Sequence, residues 1–246
     1  MPETDLDMII IVPSRGRPGS LKTVAAAWYE TRAFDDRAGL VFVVDKDDPE
    51  FQGYQVALAE LAAVDSGPTV INVMAHSAWM PMVPKLNHAA RHLAPQAPII
   101  GFAGDDHIPR TDGWARAYIE VLAEHKTGIA FGNDLIQGPT LPTQWAMTSD
   151  IVQTLGAMVP ADVEHLYCDN AIRDLGQEAN CLHYLPEIVI EHMHPMVGRV
   201  AWDDGYRRVN AQSQYARDRG AYMMWRATRM RDDVAKVVAL REGRHG

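Results

Sequence analysis

The sequence predicts an α/β fold: a mostly parallel sheet flanked by helices, with a helical segment at the C-terminal end. Three observations carry this. Short unbroken apolar runs at 8–12, 40–44 and 99–102 have the composition of strands buried on both faces. Stretches with helical apolar spacing separate them, so strand and helix alternate, which argues for parallel strands joined by right-handed crossovers. Two of the runs end in carboxylates, Asp45 and Asp105-Asp106, at the sheet edge where open α/β sheets bind ligands.

The first run is closed by Pro13 and enters Ser14-Arg15-Gly16-Arg17-Pro18-Gly19-Ser20, a flexible loop with two guanidinium groups. Ser20 is placed to cap a helix whose Leu21, Val24, Ala25 and Trp28 share one face. Backbone amides, a helix N-terminus and arginine all favour anions, so this loop is expected to take phosphate or nucleotide. The second run ends in Asp45, from which a carboxylate can accept hydrogen bonds from a ribose or base. A helix over 54–64, broken at Ser66-Gly67-Pro68, precedes a strand at 69–74. After an irregular stretch holding Trp79, Met80 and Met82, a helix over 85–93 offers Lys85 and Asn87 in its first turn.

The third run leads into Gly104-Asp105-Asp106-His107. Adjacent hard oxygen ligands at a strand tip suit Mg²⁺ or Mn²⁺ carrying a diphosphate. A helix over 113–125 and a strand over 128–131 follow, then an edge strand at 144–147 and a helix over 150–155. Asp169 opens a short helix that Gly176 terminates, and strands at 182–185 and 188–190 lead to His192-Met193-His194. Alternation in an extended segment puts both imidazoles on one face, a spacing suited to a metal.

Beyond Gly198 the texture changes. Residues 202–206 read as a turn and the rest as helix interrupted near Gly220, giving a body at 1–198 and a helical extension at 199–246. Net charge is −9, yet between Arg207 and Arg244 ten basic residues face four acidic ones, so that stretch is +6 and the remainder −15. Such a tail steers toward a polyanion or docks on the acidic body. No apolar run approaches the roughly 18 residues of a membrane span, and the acidic Glu3, Asp5 and Asp7 are unlike a signal peptide. A cytoplasmic protein without a membrane partner is expected. Cys168 and Cys181 form no CxxC unit and read as ordinary thiols.

The ordered set of residues 9–13, 43–45, 85–90, 102–109, Asp169 and 186–192 resembles the GT-A glycosyltransferases of the family 2 type, over residues 8–195. Asp203-Asp204-Gly205-Tyr206, Asn210 and Trp225 are similar to small phage-encoded members, some of which decorate hydroxymethylated bases in phage DNA. One departure stands out: the usual Asp-x-Asp is here Gly104-Asp105-Asp106, so the metal role falls to Asp106. The resemblance implies a GT-A fold and a metal-dependent, inverting transfer of sugar from a nucleotide-sugar donor, with a UDP-sugar expected, to a hydroxyl acceptor. It implies Mn²⁺ or Mg²⁺ on Asp106 with His192 or His194, Asp169 as base, and Pro13, Ser14, Arg15, Arg17, Asp45, Lys85, Asn87 and Asp105 around the donor. The basic tail adds DNA with hydroxymethylated bases as an acceptor, in a host cytoplasm. Two other readings compete: a sugar-phosphate nucleotidyltransferase, which shares the sheet topology but carries a longer Gly-rich loop ending in lysine, and a non-catalytic nucleotide- or DNA-binding module.

Overall fold

Four parallel strands form one half of an eight-stranded sheet in a computed structural model, which describes residues 6–64 and 71–245. They are β1 (Met8–Pro13), β2 (Ala38–Asp45), β3 (Ile71–His76) and β4 (Ile99–Phe102), ordered β3-β2-β1-β4. The crossovers are α1 (Pro18–Glu30), α2 (Phe51–Val64) and α3 (Met82–Leu93). The predicted break at 66–68 and the start of the strand at 69 lie outside the described residues. Ile9 and Ile11 of β1 pack on α3, whereas Met8, Ile10 and Val12 pack on α1 and α2. This two-sided burial is why the run is apolar at every position. Each such side chain contributes about 1.5–3 kcal/mol when fully buried.

The other half contains β5 (His107–Pro109), β6 (Ile129–Asn133), β7 (Trp145–Thr148) and β8 (Leu182–His192), completing the order β3-β2-β1-β4-β7-β6-β8-β5. Strand β7 is antiparallel to both β4 and β6, and β5 is antiparallel to β8. The strand expected at an edge is therefore central, and Trp145 is fully buried. Gly101 makes this possible, because a Cβ there would meet the Trp145 carbonyl oxygen and Ile10 Cδ1 at 2.5 Å. Strand β8 runs unbroken through Pro186, with its pairing to β6 shifted between Gly132 and Asn133, so the two expected strands are one.

Three helices pack around this half: α4 (Trp114–His125), α5 (Ser149–Leu155) and α6 (Cys168–Glu178). Helix α6 continues past Gly176, which is buried inside it. After Gly198 come α7 (Asp204–Val209), α8 (Gln212–Thr228) and α9 (Met230–His245), with the break at Arg229 and not at Gly220. Residues 202–206 form the entry to α7, where Asp203 accepts from the Tyr206 N–H at 2.8 Å.

The C-terminal helices dock on the body. Asp218 is fully buried and accepts the backbone N–H groups of Glu164, His165 and Leu166 at 2.9, 3.1 and 2.7 Å. Arg217 pairs with Glu164, Arg226 with Asp174 and Arg229 with Asp162, while Arg241 donates to the Ala179 carbonyl. Four of the ten basic residues that motivated a DNA acceptor are thus engaged on the protein's own surface. No described helix is long and apolar enough to cross a membrane.

Candidate active site

A cavity of about 720 Å³ opens at the sheet edge where β1 and β4 end, walled by the loop after β1, the tip of β4, residues 164–169, the end of β8 and α7. Pro13, Ser14, Arg15, Arg17, Lys85, Asp105, Asp106, Asp169, His192 and His194 all line it. Asp45 and Asn87 do not.

Asp45 is fully buried under two cations: Lys85 Nζ donates to its Oδ2 at 2.7 Å and Arg15 at 3.0 Å. Expected to face a ribose or base, it instead fixes the two basic side chains, and its Oδ1 accepts nothing among the described residues. Arg15 also reaches Asp47 at 2.9 Å. Burial pulls the Lys85 ammonium below its usual pKa, against the pull of Asp45. Asn87 turns away from the cavity: its amide donates to the Val159 carbonyl at 2.8 Å and accepts from the N–H groups of Met158 and Val159. It clamps the loop before α6, a use its sequence position at the start of α3 did not disclose.

Helix α1 begins at Pro18, whose fixed φ suits a first helical position, and Ser20 lies inside it, donating to the Arg17 carbonyl rather than capping. Arg17 is thereby held at the helix entry. Its guanidinium donates to Asp105 at 3.0 Å and, through two nitrogens, to Asp203 at 2.8 and 2.9 Å, and lies 4.0 Å above the Tyr206 ring. A directed chain supports it from below. The Arg17 N–H donates to Tyr54 Oη at 2.9 Å, and Ser14 donates to Asp105 at 2.5 Å, which leaves the Tyr54 hydroxyl to donate to Ser14 at 2.7 Å. Burial and the neighbouring Asp106 push the Asp105 carboxyl up to about 6, against Arg17 and Ser14.

Asp106, His107 and His192 offer ligand atoms that lie within 4.8 Å of one another. Asp106 Oδ1 is 3.3 Å from His107 Nδ1, and Oδ2 is 3.4 Å from His192 Nε2. Burial opposes its ionisation, yet His107 and His192 outweigh that and hold its pKa well below the usual carboxylate range. The two imidazoles stack at 4.1 Å because β5 and β8 pair with His107 opposite His192. His107 had not been expected among the ligands, since strand pairing and not sequence spacing brings it there. His194, expected there, stands apart from this trio: its ring is 5.0 Å from that of His192 and its Nδ1 accepts from the Met196 N–H. The Gly104 N–H donates to His107 Nδ1 at 3.0 Å, so that nitrogen's lone pair is engaged while the ring is neutral, and the same nitrogen faces Asp106 when the ring is protonated. A Cβ at Gly104 would meet Asp106 Oδ1 at 2.5 Å and His107 Nδ1 at 2.8 Å, so a larger residue would push both side chains out of this arrangement. Asp106 and His192 remain as a carboxylate and an imidazole donor, a mixed set that fits Mn²⁺ better than Mg²⁺.

Asp169 occupies the first turn of α6, just after Tyr167 in a left-handed turn, and accepts from the Asn170 N–H at 2.8 Å. Half-buried in the cavity wall, it has its pKa raised by burial. A raised pKa makes a carboxylate a better proton acceptor. Two further residues, for which no site role was expected from the sequence, line the cavity. Tyr206 donates to Asp106 Oδ2 at 2.7 Å, and His165, pushed down to about 4 by burial, is a neutral imidazole.

No protein-family model and no curated protein matches the sequence. Among solved structures, the chain is similar to the mannosyltransferase PcManGT from Pyrobaculum calidifontis, in complex with GDP-Man and Mn²⁺. The TM-score is 0.62 at 14% identity, over 98% of this chain and 76% of that one. It is similar also to S. aureus TarS 1–349 in complex with UDP and with UDP-GlcNAc, at TM-scores of 0.57 and 0.54 and 10% identity, over 88% of this chain and 70% of that one. At such identities a likeness speaks for architecture alone. With its curled, mostly parallel sheet and flanking helices, the chain has a GT-A-like glycosyltransferase fold.

Proposed function

We propose that this protein is a metal-dependent glycosyltransferase that moves a sugar from a nucleoside diphosphate donor to a hydroxyl acceptor, inverting the anomeric centre. The observation that carries the reading is one cavity holding both a carboxylate–imidazole pair, Asp106 and His192, at a parallel-strand tip and a second acid, Asp169, with a raised proton affinity. The donor and metal named in the complexes of the structural neighbours, GDP-Man with Mn²⁺ and UDP-GlcNAc, support it.

A sugar leaves a diphosphate readily only when the charge on the departing oxygens is neutralised, which a divalent metal on Asp106 and His192 would supply. Arg17 adds a guanidinium next to Asp105, with Arg15 and Lys85 on the same wall. The acceptor oxygen forms its bond to the anomeric carbon as the carbon–oxygen bond to the diphosphate breaks, and its proton passes to Asp169. Attack from the face opposite the leaving group inverts the centre. The test is incubation with a panel of UDP- and GDP-sugars and Mn²⁺, read by mass spectrometry. Donor-dependent release of nucleoside diphosphate in the wild type, absent in Asp106→Asn, is the expected result. Release of pyrophosphate from a nucleoside triphosphate and a sugar phosphate would instead establish the nucleotidyltransferase reading.

A further inference from the structure

We infer that the acceptor is an amphiphile, a hydroxyl-bearing head carried on an apolar chain, whose chain lies on a lip formed by the loops after β6 and β8. The inference rests on the glycosyl-transfer reading and deepens it. Of the twelve large apolar side chains exposed among the described residues, six belong to these two loops: Leu135, Ile136, Met196, Val197, Val200 and Trp202. Strands β6 and β8 are parallel neighbours, so their C-terminal ends emerge side by side, and the His192 N–H donates to the Asp134 carbonyl at 3.1 Å to join the two loops.

The lip is continuous with the catalytic cavity. Ile136, Met196 and Val197 line the same cavity as Asp169, and the Trp202 ring is 6.3 Å from the rings of His194 and Tyr206. Met196 is 70% exposed, the most exposed large apolar side chain among the described residues, so a chain laid over it would take that apolar surface out of water. The charges the lip carries are all engaged: Arg199, the single charged residue between Pro195 and Trp202, pairs with Glu191 of β8, and Asp134 of the β6 loop is buried and accepts the backbone N–H groups of Ile136, Gln137 and Gly138. Across the cavity the donor wall is the opposite in character, with Arg15, Arg17 and Lys85 suited to phosphate. A polar donor and an apolar lip divide the cavity, and the group left for the lip is the acceptor's non-reacting part.

The probe is octyl β-glucoside below its micelle-forming concentration, with methyl β-glucoside as control, titrated into the whole protein and followed by tryptophan fluorescence and calorimetry. The octyl compound should bind at least about tenfold tighter, since roughly two buried methylenes suffice for that factor. In Met196→Ser/Val197→Ser the two glucosides should bind alike, while UDP binding in the presence of Mn²⁺ is unchanged. Both positions are exposed, so the variant's fold, checked by circular dichroism, is not at stake. Equal affinity for the two glucosides in the wild type, or an octyl preference that survives the double substitution, overturns the inference. So does sedimentation of the wild type with phosphatidylcholine vesicles lacking any glycoside that the double variant abolishes, because the lip would then be a membrane-docking loop. The donor reading fails separately, if UDP with Mn²⁺ does not bind the wild type.

Discussion

The Tyr206 hydroxyl donates to Oδ2 of Asp106 at 2.7 Å, joining α7 to the tip of β4 across 100 residues of sequence. The oxygen it takes lies 3.4 Å from His192 Nε2, the other side chain proposed to hold a divalent metal. A metal entering between Asp106 and His192 must therefore displace or share that hydrogen bond. Tyr206→Phe removes the hydroxyl and keeps the ring beneath Arg17, so Mn²⁺ should bind roughly tenfold tighter, the loss of one hydrogen bond to a charged group. Titration followed by electron paramagnetic resonance of free Mn²⁺ measures this. Unchanged affinity would show that the tyrosine yields without cost.

The Asp45 clamp yields a stability prediction. With Asp45 fully buried and Lys85 itself only 3% exposed, Lys85→Met leaves a buried carboxylate with Arg15 as its remaining cation. Removing one partner of a buried pair costs about 3–5 kcal/mol, and Arg15 keeps the loss near the lower figure. Urea unfolding reads it directly. The double variant Lys85→Met/Asp45→Leu should recover most of the loss, because no uncompensated charge then remains in the interior.

Both the clamp and the Tyr206 bond bear on how much the sequence disclosed. The parallel strands were legible because burial on two faces demands an apolar residue at every position, as in Met8-Ile9-Ile10-Ile11-Val12. Strand β7 was misplaced to an edge because its four residues fit either setting, and its central position depends on Gly101 admitting the Trp145 backbone from across the sheet. Asp105, Asp106 and Asp169 were legible as acids at element ends, and the cavity gathers them. His107 reaches His192 only through the pairing of β5 with β8, and Tyr206 reaches Asp106 only through the docking of α7, so neither follows from local spacing. Asn87 shows the converse: a polar residue beside a predicted ligand site whose hydrogen bonds are all taken by a neighbouring loop.

Far from the cavity, His183 of β8 stacks on His125 of α4 at 3.9 Å, and its Nε2 is buried without a hydrogen-bond partner among the described residues. Burial, then His125, push its pKa down from 6.5 to about 4. Below about 6.5 the unfolded chain takes up a proton that the folded chain refuses, so the stability present above that pH is lost progressively as pH falls toward about 4. His165, also pushed down to about 4, acts in the same window and with the same sign. Thermal unfolding between pH 7.5 and 4.5 should therefore show a falling Tm, and His183→Phe should make the decline shallower without abolishing it. An unchanged slope would mean that His183 gains a partner on protonation.

Asp169 supplies the most direct test of the chemistry. Its pKa is raised by burial above its ordinary value, so the acid limb of the kcat profile should fall at a higher pH than a solvated aspartate would give. Asp169→Asn retains the acceptor for the Asn170 N–H and the side-chain volume but takes up no proton, and kcat should drop by about 10²- to 10⁴-fold. Donor affinity, measured with UDP and Mn²⁺, should stay within about twofold, since the residue meets only the acceptor's hydroxyl in the proposed geometry. The acid limb should vanish with the carboxylate. If it persists at the same pH in the variant, the titrating group is another one in the cavity, and Asp105, whose carboxyl stands at about 6 beneath Arg17, is the residue to substitute next.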